Sequence, residues 1–412
     1  MKRLPWVHLF FVLLLSVSCR KGVKTLAPTQ PSAKTPTFTA THTPTPTPQP
    51  SSTPTETPTS TLSPTQTYTV TPSFTTTWTL TPTLTYTWTL TATGTFCADQ
   101  ATGHTCTPTD TPAGATWHEA TSAGGFPPRY GLGTAVFDAG QGERMWVVGG
   151  GSTLGYADDV WSSADGVTWD QATASGGFGG RYNHACLAYQ GKLWVIGGYP
   201  NVSPWLLDDV WSSPDGVHWT EVTVSGGFGG RQQHSALVFD DGGGEKIWVI
   251  GGSILGPDMS DVWCSSDGVR WTQKTAAAGF APRHYHTSVV FGGRMWVIGG
   301  STESQGVLND VWSSADGIHW TQETPYAGFK ERWGALSLVY GGRMWEIGGW
   351  GPTFLNDTWS SADGVHWDCS TPNADFSPRY FLGGAVFNNR MWVIAGSQPY
   401  VEMLKSDVWY SP

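Results

Sequence analysis

The first chemistry in this sequence is an out-of-place carboxylate. In Gly341–Trp350, GGRMWEIGGW, Glu346 stands where five related stretches carry Val147, Val195, Val249, Val297 and Val393. A carboxylate on an apolar strand position needs a partner or a raised pKa, and beside a cation it could act as an acid–base group. Arg332 is the best cation the sequence offers, so Glu346 and Arg332 form the candidate catalytic pair, with Glu331 and Glu303 as weaker companions. A structural Glu–Arg ion pair is the other reading of the same residues.

Arg332 is itself one of a series. Arg129, Arg181, Arg231, Arg283, Arg332 and Arg379 recur at intervals of 52, 50, 52, 49 and 47 residues. Six arginines at one phase make either an anion-reading ring, and so candidate ligand-binding residues, or six structural pairs with phased Asp residues. From residue 114 onward there are 16 Lys and Arg against 29 Asp and Glu, a balance of 16 − 29 = −13. That excludes a general basic surface, and no nucleic-acid partner is expected. His184, His234 and His286 each follow an arginine by three residues. Three histidines suggest a metal, but strands of neighbouring units stand further apart than one ion can bridge, so neither metal nor cofactor is expected.

The aromatic residues divide by phase. Of 24 Trp, 18 fall at three positions that recur in six units and read as packing, and Trp6, Trp78 and Trp88 precede the units. Trp205, Trp333 and Trp350 remain, and all three fall in loops next to the arginines or just after a Gly-Gly pair. Tyr130, Tyr182, His284 and Tyr380 adjoin arginines, while Tyr199, Phe354 and Tyr400 lie in the loops after Gly-Gly. Gathered on one side, they form a stacking surface for sugar rings or peptide side chains, or else they anchor the loops. Tyr130, Tyr182, Trp205, Trp333, Trp350, Tyr380 and Tyr400 join the six arginines as candidate ligand-binding residues.

The elements that must position these groups follow from the repeat. Each unit has four short segments of alternating apolar residues, as in HACLAY, KLWVIGG, DDVWSS and VTWDQAT, separated by Gly-rich or Asp-Gly turns. Six four-stranded units in succession predict an all-β, six-bladed propeller over residues 114–412. The last unit stops at SDVWYSP without its final strand, whereas an unmatched ATWHEAT, Ala115–Thr121, precedes the first arginine. The N-terminal strand is therefore expected to complete the last blade and close the ring.

The stretch PRHYHTSVVFGGRMWVIGG…NDVWSSADGIHWT resembles the kelch repeat, with its arginine, its glycine pair and its later tryptophan. The resemblance extends over all six units and implies a propeller of the galactose-oxidase-like, kelch type. Kelch propellers serve as binding modules far more often than as enzymes, and those that bind acidic peptides use arginines at equivalent places. The bacterial sialate mutarotases, which also use a kelch propeller, supply the alternative, a carbohydrate-active enzyme. The Ser-x-Asp-Gly-x-x-Trp turns resemble the Asp-box of sialidases but are one residue short, which favours a plain hairpin turn. Galactose oxidase itself needs a Tyr–Cys crosslink, and Cys186, Cys264 and Cys369 sit at ordinary strand positions in different units.

Upstream the composition changes. Residues 1–19 read as a secretory signal: Lys2-Arg3, an apolar run from Trp6 to Leu15, then small residues before Cys19. Cys19 resembles the lipid-accepting cysteine of a bacterial lipoprotein, with plain secretion as the other reading. Residues 20–113 are dominated by Thr and Pro, and every odd position from Thr53 to Thr95 is Thr or Ser. Such a segment cannot bury a core and reads as a disordered, extended stalk. Cys97 and Cys106 are expected to form a disulfide in an exported chain. The expected whole is a monomeric, exported or envelope-surface binding module for a glycan or protein, attached to a membrane if Cys19 is acylated.

Overall fold

The computed structural model describes residues 113–412 apart from 202, 204, 255 and 399–402. The signal segment, Cys19, the stalk, the Cys97–Cys106 pair and Tyr400 lie outside the described residues. The described chain is all-β, with six antiparallel sheets and no α-helix. Each sheet is a blade of four main strands, in sequence order from the inside outwards in the first five blades, and the first two blades add a two-residue strand at the arginine, Arg129–Tyr130 and Arg181–Tyr182. In the fourth blade these are Thr287–Phe291 innermost, then Arg294–Thr302, Gly306–Ser314 and Thr321–Thr324. The innermost strand of each blade contacts those of the blades before and after it, and the sixth contacts the first, so the six blades form a ring.

The core lies between blades rather than at one centre. Met145 and Val147 of the first blade, for example, pack with Trp392 and Ile394 of the sixth. The Asp-Gly turns fasten these interfaces. Ser213 Oγ accepts the Gly216 N–H at 2.8 Å, and Asp215 Oδ1 accepts the Val217 and His218 N–H groups at 2.8 Å. Gly216 has φ +74°, and a methyl added there would overlap the Trp146 ring of the preceding blade. Only glycine meets both conditions, which is why Asp-Gly recurs at this turn.

The sixth blade takes its outer strand from the N-terminal side, as the unmatched ATWHEAT predicts. His118–Thr121 pairs antiparallel with Leu404–Ser411. The mimicry extends into the turn. Gly114 donates its N–H to Ser411 Oγ at 2.8 Å and lies against Trp345, as Gly166 does with Ser163 and Trp392. Trp117 packs edge-on against Phe376 at 5.2 Å.

A left-handed step near the end of each second strand, a glycine pair in five blades and Ala395-Gly396 in the sixth, shapes one face of the ring. Gly149 and Gly150 have φ of +56° and +109°, and the strand register shifts between Val148 and Gly150. This left-handed step turns the Gly149 carbonyl towards Arg129 and lets the chain run back beside the residue after the arginine. Arg129 pairs with Ser152, Tyr182 with Tyr199, and Trp333 with Trp350. The arginine-bearing segments and the loops after Gly-Gly therefore share one face, called here the arginine face.

Candidate ligand-binding face

The six arginines are structural, which corrects the expectation of an anion-reading ring. Arg129 Nη1 and Nη2 donate to the two Asp159 oxygens at 2.7 and 2.9 Å, and Nη1 also donates to the Gly149 carbonyl at 2.8 Å. Arg181, Arg231, Arg283, Arg332 and Arg379 repeat this with Asp209, Asp261, Asp310, Asp357 and Asp407. Each guanidinium also lies over a Phe ring, as Arg332 does over Phe329 at 5.1 Å. All six side chains are buried. A bidentate, desolvated pair leaves no donor for an external anion.

Glu346 and Arg332 are not a pair either. Glu346 is 1% exposed and accepts hydrogen bonds from Ser337 on its own blade's innermost strand and from Thr287, at 3.2 Å, on the fourth blade's. Thr287 Oγ1 and Ser337 Oγ are themselves 2.5 Å apart. Arg332 is held by Asp357 and the Gly348 carbonyl. Burial pushes the Glu346 pKa up to about 7, against the lowering pull of the Arg332 charge and the two hydroxyls. A carboxyl sealed between two blades has no room for a substrate, so both residues are withdrawn as catalytic candidates. Glu303 and Glu331 are exposed.

The histidines also belong to blade packing. A methyl added at Gly149, Gly197 or Gly251 would meet the imidazole Cε1 of His184, His234 or His286, so each ring reaches onto the Gly-Gly step of the preceding blade. His286 Nε2 meets Ser235 Oγ at 2.9 Å. Burial and the neighbouring arginine charges lower the His184 and His286 pKa values to about 3 and that of His234 well below its ordinary value, so all three are neutral. Among the described residues no group of three His, Cys, Asp or Glu is placed to hold a metal. Cys186, Cys264 and Cys369 are free, and burial raises the Cys186 thiol to about 12.

Two residues after each arginine, the chain closes on itself around the axis. Gly131, Asn183, Gln233, Tyr285, Gly334 and Phe381 all have φ between +54° and +62°. Each donates its N–H to the carbonyl of its counterpart in the preceding blade, and Gly131 bonds Phe381, so six bonds of 2.8–3.1 Å form a cycle. A left-handed Tyr or Phe is unfavourable locally and persists because the ring over-determines it. Tyr285 and Phe381 then cover the axis, with ring centroids 4.6 Å apart, and Asn183 Nδ2 donates to the Tyr285 hydroxyl at 3.2 Å. A cavity of about 170 Å³ lies here, lined by Leu132, His184, His234, His286 and Leu382 among others.

The expected aromatics meet on the arginine face. Tyr182 contacts Tyr130, Tyr156 and Tyr199 at 5.3, 4.6 and 5.5 Å, and Tyr199 contacts Trp205 at 6.3 Å. Tyr130 reaches Phe381 at 5.9 Å. Trp333 then stacks on Tyr285 at 4.8 Å and touches Trp350, Tyr380 and Phe381 at 5.3 Å each. Phe354 adjoins Tyr380, and His284 adjoins Tyr285. The result is one continuous aromatic sheet across five blades, interrupted at the third by Gln232 and Gln233. Most members are partly exposed, and Trp205 is 57% exposed. Burial raises the hydroxyl pKa of Tyr130 to about 12 and also raises those of Tyr156, Tyr182, Tyr285 and Tyr380, so these groups stay protonated donors. Tyr156, Tyr285 and Phe381 escaped the sequence reading. For the last two, the signal was their shared place two residues after an arginine.

Residues 282–313 match the kelch motif. The match runs from just before Arg283 through the fourth blade's first two strands and into its third, including Asp310. The other five units repeat the same arginine, left-handed step and aspartate geometry. The fold is therefore a six-bladed β-propeller of kelch type, closed by an N-terminal strand. No curated protein matches the sequence.

Proposed function

We propose that this propeller is a non-catalytic binding module, exported and held away from the cell envelope on its Thr/Pro-rich stalk, whose arginine face takes a glycan or protein ligand. The observation that supports this is the continuous aromatic sheet. Adjacent, partly exposed Trp and Tyr rings offer flat apolar faces bordered by hydroxyl donors, the chemistry that sugar rings and peptide side chains share as ligands. With the phased arginines drawn into ion pairs, recognition here rests on stacking and hydrogen bonding rather than on charge. A lipid on Cys19 would add a membrane anchor. The mutarotase-like reading loses its best acid–base residues, because Glu346 and Arg332 are sealed and separately engaged.

Glycan and peptide arrays probed with the full chain test this reading. Binding at micromolar protein is expected, weakened about tenfold by Trp333→Ala or Trp350→Ala, the loss of one stacking contact. Silence on both arrays, or variants that bind as the parent does, refutes it.

A further inference from the structure

A second feature stands apart from the aromatic sheet. The link from the fourth blade's outer strand to the fifth blade reads Thr324-Pro325-Tyr326, where the other units place Ala123, Ser175, Ser225, Ala277 and Asn373 at the tyrosine's position. Tyr326 is 80% exposed, so the fold gains little from its ring. Its backbone is nevertheless fixed: Thr324 Oγ1 donates to the Tyr326 carbonyl at 3.2 Å and accepts its N–H at 3.4 Å. Pro325 restricts the approach further. Beside the ring lies a groove of about 620 Å³, lined also by Gln305, Leu308, Gln322 and Glu331. The side chains of Gln305, Gln322 and Glu331 make no hydrogen bond to another described residue.

We propose that this rim groove is a binding subsite for a neutral sugar chain. A rigidly mounted, exposed tyrosine stacks on the C–H face of a pyranose. Two free glutamine amides donate to and accept from ring hydroxyls, and Glu331 accepts from a hydroxyl. Of the two carboxylates in the described lining, Asp310 is neutralised by Arg283 and Glu331 is free, and no Lys or Arg lines the groove, which disfavours anionic sugars. The groove shares none of its lining with the aromatic sheet, so it stands or falls separately from the ligand proposed there.

The test titrates the full chain by calorimetry with cellohexaose, mannohexaose and xylohexaose, and with an oligogalacturonate as the acidic comparison. At least one neutral hexasaccharide binds, and the acidic chain binds more weakly. Tyr326→Ser, which installs the residue found in the first and second blades' links, weakens the neutral ligand about tenfold, and Val224→Ala, an exposed change in the second blade's link, leaves that affinity in place. Gln322→Ala gives a second reading of the same groove should the serine variant fold poorly. The proposal is overturned if no neutral chain binds, if the acidic chain binds best, or if affinity falls with Trp333→Ala but not with Tyr326→Ser. That last result would leave the aromatic sheet as the sugar site.

Discussion

Replacing Glu346 by the valine of the other five blades should stabilise the propeller, and by an amount that depends on pH. The native carboxyl has its pKa raised from 4.5 to about 7 by burial. Between those values the folded state holds a proton that the unfolded chain releases, so this group's contribution to stability falls as pH rises and levels off above about 7. That rise is worth roughly 3 kcal/mol. Glu346→Val abolishes that loss, and its advantage over the parent should therefore grow by roughly 3 kcal/mol between pH 4.5 and pH 8. Urea denaturation of both proteins across this range measures the difference, from which titrations elsewhere in the chain cancel. Glu346→Gln isolates the charge, since it removes the titration and keeps an acceptor for Ser337 and Thr287. A parent–variant difference that stays flat across the window, or shrinks as pH rises, would refute the reasoning.

Three further outcomes follow from the blade geometry. Asp357→Asn leaves Arg332 buried without its counter-charge and should cost about 3–5 kcal/mol in denaturant unfolding, where an exposed pair would cost under about 1. Gly216→Ala must adopt φ near +74° and displace the Trp146 ring, so thermal unfolding should show a loss of at least about 2 kcal/mol. Removing residues through Thr121 strips the sixth blade of its outer strand, Gly114 and Trp117, and should abolish the single cooperative unfolding transition expected of the closed ring.

The architecture was legible because its signals repeat. The Gly-Gly step, the Asp-Gly turn and the phased tryptophans each recur around the ring, and an incomplete last unit with a spare N-terminal strand defines closure. The site was less legible, for two physical reasons. An arginine's partner lies 25 to 30 residues further on, beyond two intervening strands, so its sequence neighbourhood shows a free cation where the fold has a neutralised one. Glu346 stands out from the valines of its register, but the hydroxyls that receive it come from two different innermost strands, which sequence spacing does not bring together. Tyr285 and Phe381 sit in a backbone conformation that bulky residues rarely adopt, so nothing local announces them as the cover of the axis. Tyr326 follows an outer strand rather than an arginine or a Gly-Gly step, so the phases that gather the other tyrosines do not reach it.

The cycle of six backbone bonds at the axis has a consequence for how this molecule can change. Its members are Gly, Asn, Gln, Tyr, Gly and Phe, and all six make the same bond. Side-chain identity and scaffold integrity are thus uncoupled at the axial end of the arginine face. The chain already tolerates anything from a hydrogen atom to a phenol at equivalent sites on a single frame. Six positions of that kind amount to a rewritable set, in which a new specificity can be composed residue by residue without renegotiating the fold.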